Sequence, residues 1–294
     1  MTALHFRADW IALTYLACAT GLFILQWNLA EIHVPLVVLS CAMAYGTGCI
    51  LHNHAHLSMW HHKPLNVLTD YWLVLLRGDG AYSWLPTHVN NHHRYANHPG
   101  DMTLTHRFSE HNNLWNLIRY TALGAVLYVG AVFGYIASFR VRKPRRFWYL
   151  LSQLLLHWVF LAAALSIDPE KALVFIAVPQ MFGFFAMVST GYFQHHHADE
   201  HSEINFARNF TGRLNNWMHF NHGYHTVHHI DQSLHWTEWP PAHRAVEHEM
   251  DPDLNETNLP WYMVRTLLLA PIFPSLGSRN FRAERQQAAL GSSV

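Results

Sequence analysis

Four stretches of this chain, residues 10–30, 34–51, 147–166 and 172–192, run for about twenty residues each without an Asp, Glu, Lys or Arg. A bilayer's hydrocarbon core takes roughly 20 apolar residues as helix, and inside it every backbone polar group must be paired within the segment. These runs therefore restrict the fold more than any other feature: they predict transmembrane α-helices. The short polar connections Glu31-Ile32-His33 and Asp168-Pro169-Glu170-Lys171 join them into two hairpins. The first run is too long for a signal peptide, has no basic leader and shows no small-residue cleavage site, so it reads as a span.

Composition narrows the class further. Charged residues are 13% and aromatics 14%, too little charge and too many rings for an ordinary soluble enzyme. The formal net charge is zero, which removes the electrostatic case for nucleic acid. Cys18, Cys41 and Cys49 all lie in apolar stretches and form no C-x-x-C pair, so neither a disulfide framework nor a thiolate metal site is expected.

Histidine is the anomaly. There are 26, against 19 Lys and Arg together. They gather in three clusters. HNHAH, directly after the second span, places His52 and His56 four apart, on one face if the helix continues, with His54 out of phase. THVNNHH carries His88, His92 and His93, and NHGYHTVHH carries His225, His228 and His229, again at helical spacing. An imidazole beside a membrane is costly unless something satisfies it. Eight well-spaced rings are too many for one tetrahedral zinc, which takes four, so two metals fit better. Imidazole suits zinc, copper, iron and nickel alike, and spacing does not choose among them.

The clusters also bear on topology. A fifth apolar stretch, residues 114–139, precedes the basic run RVRKPRR at 140–146, which favours the cytoplasmic side. If the clusters build one site, an even number of crossings must separate them. Residues 114–139 are therefore expected to lie in the interface or re-enter it, leaving about four spans. Residues 52–113 and 193–260 would form a cytoplasmic histidine-rich cap, and 65–76 and 261–276 would be interfacial helices. The whole chain, 1–294, reads as a single membrane domain of all-α class, with the last ten residues frayed. Two sequons, at Asn209 and Asn255, would face the cytoplasm and carry no glycan.

HNHAH (H-x-x-x-H), HVNNHH (H-x-x-x-H-H) and HTVHH (H-x-x-H-H), in this order around a membrane hairpin, resemble the integral-membrane fatty acid desaturase and hydroxylase superfamily. HHRYANHPGD after the second box and the Gln194-His195 pair are similar to that family as well. The resemblance implies a non-haem di-iron centre that activates dioxygen. Its ligands would be His52, His56, His88, His92, His93, His225, His228 and His229. Many members use a ninth position near the end of the last span; His195 matches it best, with His196, His222 and Asn221 as rivals. Asp101, Asp199, Glu200 and Asp231 are candidates to hydrogen-bond the far nitrogen of ligating rings, with helix caps and surface charge as the alternative.

The activity implied is O2-dependent insertion of a double bond into a fatty acyl chain carried as lipid, acyl-CoA or acyl-carrier protein. Lipid, carotenoid or alkane hydroxylation is the alternative within the superfamily, and a membrane metal-binding or transport protein the alternative outside it. Removing hydrogen from an unactivated methylene needs an oxidant no side chain supplies, so a metal–oxygen species must carry it, and the resemblance implies two iron ions and O2 for that role. No cysteine set for an iron–sulfur cluster is present, and NHPGD lacks the last glycine of a haem-binding HPGG. The electron donor would be a separate ferredoxin, rubredoxin or cytochrome b5 with its reductase. Arg94, Arg208, Arg213 and Arg244 are candidates to dock it or a phosphate-bearing substrate head. A short chain without a fused electron-transfer domain favours a bacterial inner membrane.

Overall fold

The computed structural model describes residues 3–291. The chain is an all-α membrane protein. Five helices are long and apolar enough to cross a bilayer: α1 Asp9–Asn28, α2 Val34–His56, α5 Leu114–Ser138, α6 Pro144–Ile167 and α7 Pro169–His195. Between them lie α3 Lys63–Arg77 and α4, residues 85–95, most of which is wound as a wide π-helix. Strand is confined, among the described residues, to Asn209–Phe210 paired in parallel with Asn255–Glu256.

The chain divides into two compact units, each discontinuous in sequence: Met1–Val89 with Tyr128–Met187, and Asn90–Leu127 with Val188–Val294. In the first, helices are held by polar bridges as well as apolar packing. Gln26 Nε2 donates to Ser40 Oγ at 2.7 Å, joining α1 to α2, and Trp72 Nε1 donates to Thr20 Oγ1 at 2.8 Å, joining α3 to α1. Such bonds matter in apolar surroundings because no water competes for them. Gly183 allows α7 to pass close to α2; a Cβ there would sit 2.9 Å from the Ala44 backbone. Lys171 Nζ donates to the carbonyls of Trp27 and Leu29 at 2.9 and 2.8 Å, a cation where the α1 macrodipole ends negative.

The second unit packs around Leu117, Tyr120, Tyr192, Phe193, Phe210, Tyr262 and Leu267. Its last helix, Phe281–Gly291, is anchored rather than frayed: Arg285 Nε meets Asp199 Oδ1 at 2.6 Å, and Phe281 packs on Ala198 and Leu254. Ser292, Ser293 and Val294, part of the tail expected to fray, lie outside the described residues.

Two other expectations meet more detail than the sequence held. Residues 65–76 do form a helix within α3, and it packs along α1, α2 and α6 with Leu73 and Val74 fully buried. Residues 114–138 form one unbroken helix of 25 residues, with no break of the kind a re-entrant loop needs. At 1.5 Å per residue it is about 37 Å long, enough to span.

Candidate metal centre

The third box begins the site. A buried turn presents it: Asn209 Oδ1 accepts the Thr226 N–H at 2.9 Å, and Asn209 Nδ2 donates to Thr226 Oγ1 at 3.0 Å. This fixes the short helix α8, His225–Ile230. Gly223, just before it, has room for nothing larger; a Cβ would lie 2.1 Å from the Phe210 carbonyl oxygen. Asn209 is itself fully buried, so its sequon offers no acceptor for a glycan in the folded chain.

In the second unit four rings converge. His92, His195, His225 and His229 each offer a nitrogen, all within 4.8 Å of one another. His195 Nε2 lies 3.1 Å from His92 Nε2 and 2.8 Å from His225 Nε2, and His229 Nε2 lies 3.0 Å from His225 Nε2. Metal–imidazole bonds of about 2.0–2.1 Å bring neighbouring ligand nitrogens to about 3 Å apart, which is this spacing.

The far nitrogens decide what the near ones carry. His92 Nδ1 is 2.8 Å from Asp101 Oδ2, and His195 Nδ1 is 3.2 Å from the Phe206 carbonyl. Both partners only accept, so each Nδ1 must be the one that bears hydrogen. In the neutral rings, Nε2 then carries a lone pair, and the two lone pairs face each other at 3.1 Å. That contact is repulsive unless a cation sits between them. The donor set thus fits a metal ion, and a carboxylate on the far nitrogen, as Asp101 supplies to His92, is the arrangement that orients metal-binding histidines. For His225 and His229 burial comes first, then the neighbouring rings, and together they push both well below the ordinary histidine range.

Asp101 is the best-connected residue near the rings. Besides His92 it accepts the Asn97 N–H at 2.8 Å, and the Thr103 N–H and hydroxyl at 2.7 Å each. Burial alone would raise its carboxyl, but the His92 ring and these hydrogen bonds outweigh burial and hold it below the usual carboxylate range. The loop that delivers it is strained, with Ala96 at φ 42° and Asn97 at φ 67°.

The other box histidines pair within their own units. In the first unit, α2 continues through the first box, and His52, His56 and His88 bring one ring nitrogen each within 4.8 Å. His52 Nε2 lies 2.8 Å from His88 Nε2, while His52 Nδ1 is 3.0 Å from Asn53 Oδ1. In the second unit, His93 Nε2 lies 3.0 Å from His228 Nε2. The third box is therefore split: His225 and His229 join the four-ring cluster, and His228 turns to His93. The one shared face expected from i, i+3 and i+4 spacing is divided, because on a helix adjacent positions point about 100° apart.

Of the rivals for the ninth position, only His195 contributes to the four-ring cluster. The α7 helix ends at His195, and His196 turns to stack on Tyr192 with ring centroids 4.5 Å apart. His222 gives its carbonyl to Gln194, and Asn221 Nδ2 donates to the Trp236 carbonyl. Out-of-phase His54 instead accepts the Met59 N–H on Nδ1 and faces Asp70 through Nε2. Of the four acidic candidates, Asp101 alone meets a cluster ring. Asp199 and Glu200 pair with Arg285 and Arg282, and Asp231 caps a turn at Ser233. Arg208 is no docking residue: it is fully buried, donates to the His196 carbonyl and stacks over Tyr262. Sequence reasoning missed Asn53, Thr103 and the Phe206 carbonyl. Thr103 alone left a signal, standing two residues after Asp101 as in a side-chain-capped turn.

Residues 29–262 match the sequence model of the family described as Fatty acid desaturase. The chain belongs to the fatty acid desaturase family. The match covers all three boxes and four of the five long helices in full or nearly so, and membership implies a membrane-associated oxidoreductase acting on lipid, with the histidine clusters as its metal sites. No curated protein and no solved structure matches this desaturase-family chain.

Proposed function

We propose that this protein is a membrane-bound di-iron oxygenase that introduces a double bond into a fatty acyl chain. His92, His195, His225 and His229 are proposed to hold one iron. The box histidines left over, His52, His56 and His88 in the first unit and His93 and His228 in the second, are proposed as the remaining iron ligands. The observation that carries the proposal is the pair of lone-pair nitrogens of His92 and His195, fixed face to face by Asp101 and the Phe206 carbonyl, in a chain of this family.

When bound, the two irons supply the redox chemistry that activates dioxygen. The net reaction takes one O2, two electrons and two protons, and converts –CH2–CH2– to –CH=CH– with release of two waters. The chain's own residues hold the rings in one tautomer and keep the site dry: His195, His225 and His92 are all buried. Among the helices of the first unit, an apolar cavity of about 220 Å3 bordered by Phe23, Met43, Ala44, Trp72, Phe175 and Ile176 favours a hydrocarbon ligand. Electrons come from a separate donor, a ferredoxin, rubredoxin or cytochrome b5 with its reductase.

The setting proposed is a bacterial inner membrane with the site on the cytoplasmic side. His92 precedes α5, α6 and α7, and His195 ends α7, so their convergence requires an even number of complete crossings among those three helices. Four spans, with the unbroken α5 lying in the interface, meet that condition.

The test is expression in a host of defined lipid composition, followed by mass spectrometry of the acyl chains with and without O2. A new, O2-dependent double bond is expected. An alcohol at the same carbons would move the assignment to hydroxylation, and no O2-dependent product in any lipid would contradict the proposal.

A further inference from the structure

The first unit contains a cavity that the metal chemistry leaves unused. It measures about 590 Å3 and lies where the C-terminal end of α2 meets the N-terminal turns of α3 and α6. Three cations line it: Lys63 from α3, and Arg145 and Arg146 from α6. Among the described residues none of them has a carboxylate partner. The lining's one carboxylate, Asp70, already faces His54 Nε2 at 3.4 Å and accepts the Tyr149 hydroxyl.

Local structure adds to this charge rather than offsetting it. Neither α3 nor α6 has a side-chain N-cap or an acidic residue in its first turn, so both present the positive end of the helix dipole with basic residues beside it. All three are exposed, so water and salt screen their mutual repulsion, and an anion seated among them would gain from each. Arg146 is also held in place, donating to Tyr135 Oη at 2.9 Å and lying 4.7 Å over the Phe139 ring.

Buried donors point the same way. Tyr82 lines the cavity at 5% exposure, and its hydroxyl has no hydrogen-bond partner. Gln153 is fully buried; its Oε1 accepts the Ala81 N–H at 2.9 Å, while its Nε2, which faces the Tyr149 hydroxyl, keeps an N–H without an acceptor. Buried donors without acceptors are costly, and oxyanion oxygens would satisfy both.

We propose that this cavity binds the phosphate group of an anionic amphiphile, with Lys63, Arg145 and Arg146 meeting its charge and Tyr82 and Gln153 donating to its oxygens. Its volume lies within the range of about 300–1,000 Å3 typical of small-molecule sites, far more than inorganic phosphate fills. Val67, Leu85 and Leu150 supply apolar wall beside the cations. The phosphate has two possible sources: a membrane phospholipid or a soluble phosphorylated carrier. The inference does not depend on the proposed reaction.

The test is native mass spectrometry of the detergent-purified full chain, titrated separately with dioleoyl phosphatidylglycerol, with coenzyme A, and with phosphate-free dioleoylglycerol. Tighter binding of one phosphate compound than of dioleoylglycerol is expected. That binding should weaken at least about tenfold in the double variant Lys63→Gln/Arg145→Gln, and a few-fold in Tyr82→Phe, which removes only the oxygen. Preference for phosphatidylglycerol assigns the site to lipid, and preference for coenzyme A to a soluble carrier. Equal binding of all three compounds, or a double variant that binds as tightly as wild type, overturns the proposal. Iron content measured on the same samples separates this outcome from failure of the metal assignment, since the variants leave every box histidine in place.

Discussion

Replacing Asp101 with Asn probes the ring-orienting geometry with almost no change of shape. All four groups that meet the carboxylate are donors: His92 Nδ1–H and the Asn97 N–H on Oδ2, and the Thr103 N–H and hydroxyl on Oδ1. An asparagine amide must turn its NH2 toward one of these pairs. On the Oδ1 side, the Thr103 hydroxyl can rotate away but the backbone N–H cannot, leaving one buried donor unmet at about 1–3 kcal/mol. On the Oδ2 side the Asn97 N–H likewise loses its acceptor, while His92 can relieve its own clash by moving its proton to Nε2, and that hydrogen then points at His195 Nε2, where the metal would sit. Loss of such a partner typically lowers metal affinity by about 10–100-fold, or roughly 1.4–2.8 kcal/mol. The assay is chelator competition on purified protein, comparing Asp101→Asn with Asp231→Asn, whose carboxylate caps Ser233 and meets no ring. Weakened metal retention in the first variant alone is expected. Equal retention in Asp101→Asn and wild type, with the fold intact, would refute the tautomer argument.

Three further outcomes follow from the same geometry. His195→Ala should lower iron from about two per chain to about one, because the His52, His56 and His88 set does not use His195; unchanged iron by elemental analysis would remove His195 from the site. Gly223→Ala should destabilise by at least about 2 kcal/mol, since its Cβ would overlap the Phe210 carbonyl, whereas Gly130→Ala, with open space around it, should be close to neutral; thermal melts in detergent compare them. Asn209→Ala should lower both melting temperature and iron content, because it leaves the Thr226 N–H that begins the third box without its acceptor; loss of one without the other would mean Asn209 does not position the box.

Much of this site was legible because its chemistry and its periodicity agree. Histidines four apart after an apolar run leave few roles besides ligation, and α2 does continue through His56 as that spacing requires. The grouping in space was not legible, because neighbours in sequence serve different partners. His92 turns to His195 while His93 turns to His228, as adjacent positions on a helix point about 100° apart, and the sequence does not announce which partner each ring takes. The sequence favoured His195 within the run QHHHADEH but left His196 as a rival; the end of α7 separates them, because the chain leaves helical phase after His195 and His197 reaches φ 69°. The fold shows a similar limit. Apolar length identified the long helices, but how α3 packs depended on contacts such as Trp72 with Thr20, made between residues 52 apart in sequence. Arg208, which reads as surface charge, is enclosed by Tyr262 and the His196 carbonyl, and its burial comes from tertiary packing alone.

The most direct test of the central claim is metal content per chain, by elemental analysis of full-length protein purified in detergent after iron-supplemented expression. A di-iron desaturase site predicts about two irons per chain and little zinc or copper. Zinc or copper in place of iron under those conditions would contradict the proposed chemistry and leave the histidine clusters as metal sites of another kind.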